Sequence, residues 1–217
     1  MVDLKKDIKP DSLRGKGLLP SGIAPGNLPI AGRSRESILA AMRCEAFAIG
    51  RISPENAFVV RHSESVYYLF LRPEYKGYRR VAALRFGGIP PEHDIDHVHA
   101  RNLAAHYGYR YVLVVLLPES INRLHGIYEQ HLKDIKPTDK IPDVCFADVR
   151  IFDKLLGRDP KVRRLLGSKE YAYDTKDRVD LTLALNQSGR WNIAFGFDRP
   201  APAEFLSRLR PLRNFES

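Results

Sequence analysis

The chain has 217 residues, 44% hydrophobic and 28% charged, proportions that suit one globular domain with or without a tail and exclude fibrous, collagenous and wholly disordered chains. Its 35 Lys and Arg against 26 Asp and Glu leave a formal charge of +9, a surplus that attracts polyanions and makes nucleic acid the first partner to test. The best apolar run, 111–118, falls far short of the roughly twenty residues of a membrane helix. The chain opens without an apolar signal core, and two cysteines make no disulfide framework, so a reducing, cytoplasmic setting is expected.

Residues 1–33 are punctuated by Pro10, Pro20, Pro25 and Pro29 and by repeated glycine, without hydrophobic periodicity, and read as an extended arm. The arm carries Lys5, Lys6, Lys9, Arg14, Lys16 and Arg33 against Asp3, Asp7 and Asp11. It can lie along a phosphate backbone, or wrap its own domain or a protein partner. A single domain over 34–217 is expected to open with Ser34 as N-cap and a helix through Ile38, Leu39, Met42, Ala46 and Phe47. Three runs rich in β-branched and aromatic residues, 57–61, 66–72 and 78–86, predict an antiparallel meander. Ala100, Leu103, Ala104 and Tyr107 share one helical stripe, predicting a helix over about 97–107 that stops at Gly108. The short apolar stretch 109–117 reads as a buried strand ended by Pro118, and a helix from Glu119 or Ser120 to Lys133 follows. Beyond it the pattern predicts a strand near 144–151, one or two short helices between 152 and 166, a hairpin pairing 179–185 with 191–197, and a helix near 203–209. The order of elements predicts an α+β fold, with a mixed, mostly antiparallel sheet, flanking helices and the extended basic arm.

Six of the seven histidines, His93, His97, His99, His106, His125 and His131, fall between residues 93 and 131. Imidazole titrates near neutrality and binds metals, so this concentration suits a metal-assisted or general-base site, although surface and capping histidines would produce the same pattern. Asp94, Asp96 and His97 precede the buried strand, and Glu119, Asn122, Arg123 and His125 follow it. If that strand runs back beside the first stretch, the two groups meet. For phosphodiester hydrolysis, Asp96 and His125 would then hold a hard divalent cation such as Mg²⁺. His97 would take the proton of the attacking water. Asn122 would orient the imidazole or brace the loop, and the Arg123 fork would grip a phosphate. Structural roles compete for each position: Asp96 as a helix N-cap, Asn122 as a first-turn cap, His125 as a partly buried residue bonded to a carbonyl.

The order Asp-His, a strand, then Asn and a later His on a helix resembles the HNH, or His-Me finger, nucleases, in which a ββα unit holds one metal ion over a scissile phosphate. The resemblance covers residues 93–131 and implies a metal-dependent endonuclease acting on DNA or RNA. It implies Asp96 and His125 as metal ligands, His97 as general base and Asn122 as the loop-supporting residue. Three features depart from the family pattern: a helix-like segment follows the Asp-His pair, Asn122 and His125 stand close together, and the Cys pairs that staple some members with zinc are absent, which leaves Glu129 or His131 as substitutes for His125.

A weaker chemistry pairs His97 with His99 as in cupin-like metal barrels, but Ala100, Arg101, Asn102 and Leu103 stand where that pattern expects a Glu. No Gly-x-Ser-x-Gly elbow and no phosphate-cradling glycine loop is present, which argues against nucleophilic hydrolases and nucleoside-triphosphate chemistry. Lys154, Arg158, Lys161, Arg163 and Arg164 crowd one short stretch and would wall a nucleic-acid groove. Tyr67, Tyr68, Tyr75, Tyr78, Tyr171 and Tyr173 would stack bases or pack internally. The alternative to the nuclease is a non-catalytic nucleic-acid-binding or protein-interaction module with a structural histidine cluster.

Overall fold

The computed structural model describes residues 28–62, 67–131, 141–147, 151, 154–155 and 202–212. Ser34 opens the first helix, α1 (Arg35–Met42), as expected: its hydroxyl accepts from the Ser37 amide at 3.0 Å, and Ser37 Oγ accepts from the Ser34 amide at 3.3 Å. The helix ends sooner than its apolar spacing suggested. Arg43 turns left-handed at φ 53° and its N–H closes on Leu39 O, so Ala46 and Phe47 fall in strand β2 (Glu45–Ile49) instead. Strands β3 (Ala57–Arg61) and β4 (Tyr67–Leu71) form where predicted.

The third run of the expected meander is a helix, α2 (Tyr78–Phe86). It holds one β-branched residue among alanines, Leu84 and arginines, all strong helix formers, and its buried Val81, Ala82, Arg85 and Phe86 recur at helical spacing. No element is expected over residues 93–96, and the helix expected from about residue 97 starts later. Asp94 and Asp96 alternate with Ile95 and His97, and the segment is strand β5 (His93–His97), with helix α3 (Arg101–His106) starting only after it. Strand β6 (Tyr111–Pro118) and helix α4 (Glu119–His131) follow closely as predicted. Strand β7 (Val144–Phe146) is shorter than expected, because Ile151 is already helical. The last helix, α5 (Ala203–Leu206), yields to strand β8 (Leu209–Pro211). The hairpin expected over 179–197 lies outside the described residues.

The protein is α+β: helices accompany one curled antiparallel sheet, a half-barrel. With β1 running from Pro29 to Gly32, its strand order is β7-β1-β6-β4-β3-β2-β8, with β5 also paired to β6. Strand β1 (Pro29–Gly32) is fully buried between β6 and β7, so the arm expected over 1–33 belongs to the sheet from residue 29 onward. Long β6 carries β4 along one edge; on the other it pairs first with β1 and then with β5. The sheet is covered on both sides, which explains why its central strands β4 and β6 are continuous apolar runs. One core packs Phe58, Phe70, Tyr111 and Val115 with Ile38 of α1 and helical Ile151 and Leu155. The other packs Val59, Leu69 and Val114 with Val81 and Phe86 of α2 and Phe205 of α5. Tyr67 and Tyr68, considered as base-stacking residues, are 9% and 1% exposed and belong to these cores. Among the described residues no helix is long and apolar enough to cross a membrane.

The strand-to-helix corner at Gly32 is tightly packed, since a Cβ there would sit 2.4 Å from Ile38 Cγ1. Gly32→Ala is therefore expected to cost about 1–3 kcal/mol by overpacking, read as a lower urea midpoint with an unchanged slope.

Candidate functional site

The two chemistry-bearing stretches do come together. Strand β5 pairs with the second half of β6, and α4 folds back so that Asn122 Nδ2 donates to Asp94 Oδ2 at 3.1 Å. Asp94 lies opposite Leu117 and Asp96 opposite Val115, both in the core that also holds Val98, Ile151 and Leu155. His125 follows Asn122 by three residues, hence on the same side of α4, and is fully buried.

His97 is not part of this arrangement. Successive strand residues point to opposite faces of a sheet. His97 lies opposite Val114, which belongs to the core under α2. Its ring packs edge-on against Tyr78 with centroids 5.1 Å apart, and its Nε2 is buried without a hydrogen-bond partner among the described residues. Burial above all, and then the positive charges of Arg101 and Lys154, push its pKa down to about 3. A general base works best with a pKa near the operating pH, so a neutral imidazole this reluctant to take a proton is poorly suited to the role expected of His97.

Asp96 has another partner. Lys154 Nζ stands 2.9 Å from Asp96 Oδ2, with the two side chains 1% and 8% exposed. Lys154, expected on the wall of a nucleic-acid groove, is instead inside the protein. Ile151, Lys154 and Leu155 occupy i, i+3 and i+4 of a helical stretch and all are buried. That spacing, two aliphatic residues with a lysine on their side, was the signal in the sequence that Lys154 faces inward. Arg158, Lys161, Arg163 and Arg164, expected beside it, lie outside the described residues. Asp96 caps no helix, because it sits inside β5 and the N-cap of α3 is Ala100. Arg123, expected to grip a phosphate, is 76% exposed and pairs with Glu119 one turn earlier at 2.7 Å.

His93 Nδ1 donates to Pro91 O at 2.8 Å, His99 packs against the rings of Tyr107 and Tyr109, and exposed His106 lies on Tyr107. Among the described residues no group of three or more His, Cys, Asp or Glu can hold a metal ion. The one-metal set implied by the family resemblance, Asp96 and His125 beneath His97, does not fit this geometry: the base faces the wrong side and a lysine neutralises the acid. Compared with protein-family models, with curated proteins and with solved structures, the chain finds no match.

Proposed function

We propose that this chain is a nucleic-acid-binding protein in which the histidine-rich segment braces the fold. The observation that carries the reading is an excess of uncompensated guanidinium groups on the surface. Exposed Arg51, Arg79, Arg80 and Arg101 pair with no carboxylate among the described residues, in a chain whose formal charge is +9. Such groups release counterions when they meet phosphates, the main source of sequence-independent affinity. A cytoplasmic setting suits this role and the absence of a disulfide between Cys44 and Cys145.

One observation favours a second reading, a metal-dependent endonuclease hydrolysing phosphodiester bonds in DNA or RNA. The Asp94–Asn122 contact joins the two stretches that such an enzyme would need to join. A single set of assays separates the two. Labelled DNA and RNA are titrated with the protein between about 50 and about 200 mM salt, and plasmid and RNA cleavage is followed with and without EDTA for wild type and His97→Ala. Binding that weakens steeply with salt, without EDTA-sensitive cutting, is the expected result. Cutting abolished both by EDTA and by the substitution would instead establish the nuclease.

A further inference from the structure

On the side of the molecule built by α2, away from the Asp94–Asn122 contact, lies a cavity of about 310 Å³ lined by Ile49, Gly50, Arg51, Ile52, Arg80, Val81, Leu84 and Arg208. Its composition is divided. Ile49, Ile52, Val81 and Leu84 give it an apolar lining, and three arginines line it as well: Arg51 just after β2, Arg80 on α2 and Arg208 just after α5. Gly50, at φ 55°, turns the chain out of β2, and its amide donates to Arg208 O at 2.7 Å. Arg210 donates to Gly50 O, so the backbone that carries Arg51 is tied to the backbone that carries Arg208. Arg208 also meets Glu204 one turn earlier on the exposed surface. Arg51 and Arg80 have no such carboxylate among the described residues.

We infer that this recess binds a nucleotide ending in a phosphate monoester, either the 5′-terminal nucleotide of a strand or a free nucleoside monophosphate. The size lies at the small end of the range for ligand pockets, about 300–1,000 Å³. Planar guanidinium forks match phosphate oxygens in pairs and also stack on bases, and the aliphatic floor accepts the face of a ring. A monoester carries about −1.5 to −2 charges near neutrality, which matches Arg51 and Arg80, the two arginines without a carboxylate among the described residues, better than the single charge of a backbone diester does. An internal nucleotide would also have to thread both its neighbours through the recess, which a terminal one does not. The inference rests on the nucleic-acid reading for the strand but not for the free nucleotide.

The test uses AMP and two fluorescent oligonucleotides of one sequence, 5′-phosphorylated and 5′-hydroxyl, at one salt concentration. Wild type is compared with Arg51→Ala, Arg80→Ala and Arg79→Ala. Arg79, exposed on the same helix but not lining the cavity, separates total affinity from the monoester preference: as one of the uncompensated surface arginines its loss should weaken both strands alike. The phosphorylated strand is expected to bind about tenfold tighter than the hydroxyl strand, and the Arg51 and Arg80 variants to lose that preference while the Arg79 variant keeps it. AMP should compete. If AMP binds in an Arg80-dependent way but neither strand does, the recess is a free-nucleotide site and the nucleic-acid reading fails. If both strands bind equally and the three variants behave alike, the recess inference is overturned while the nucleic-acid reading stands. If neither AMP nor a strand binds, both fall.

Discussion

Lys154→Met is expected to destabilise the protein by about 3–5 kcal/mol, because it removes the cation that stands 2.9 Å from a buried carboxylate. Asp96 is 7% exposed and Lys154 is fully buried, so each ion has given up most of its hydration and relies on the other. The pair need not be favourable overall. Replacing a buried ion pair by well-packed apolar side chains is often neutral or stabilising by about 1–4 kcal/mol. The Asp96→Leu, Lys154→Met double variant should therefore recover most of what the single variant loses. Urea unfolding of the wild type and these two variants, with Asp96→Leu alone to complete the cycle, measures the coupling. A Lys154→Met protein with the wild-type midpoint would show that the amine is solvated and the pair idle.

His97 should make the protein sensitive to acid. Its pKa is about 3 in the folded chain, lowered first by burial and then by Arg101 and Lys154. In the unfolded chain it returns to about 6.5. Below about pH 6.5 the unfolded state therefore binds a proton that the folded state refuses, and stability falls as pH falls, with a slope approaching 1.4 kcal/mol per unit, until about pH 3. Above about pH 6.5 the effect is fully absent. The whole loss is on the order of 5 kcal/mol. Carboxylates titrate in part of the same window, so the informative quantity is the difference between wild type and His97→Phe. The phenyl ring can keep the contact with Tyr78 but cannot titrate. The variant should lose less stability than wild type between pH 7 and 4; parallel curves would mean that the imidazole is hydrated.

The distribution of polar groups explains why the site was harder to read than the fold. Local chemistry was legible where a residue acts on its own neighbours. Ser34 caps the helix that follows it, and the apolar run ending at Pro118 is a buried strand. It misled where one composition serves two conformations. Residues 78–86 have the aromatic and aliphatic content of a strand, but Val81, Ala82, Arg85 and Phe86 fill one face only when coiled. Arg85 illustrates what local pattern leaves out: it is 1% exposed, its Nε and Nη2 donate to Tyr67 O at 3.2 and 2.8 Å, and Phe86 and Phe205 flank it. None of those partners except Phe86 is near it in sequence.

From composition and periodicity follow the α+β class, the basic character and the possibility that the stretches on either side of β6 meet, since a strand with short connections tends to return beside its predecessor; that they meet through Asp94 and Asn122 is a result of the tertiary structure. Which side chains share a face was decided by register. A period of two sends Asp96 and His97 to opposite sides of β5, and a helix residue distant in sequence, Lys154, then supplies the charge that burial of Asp96 requires. A shift of one position would reverse that assignment, and what holds it in place is the packing of both sheet faces, a property of the assembled cores that no stretch of sequence contains.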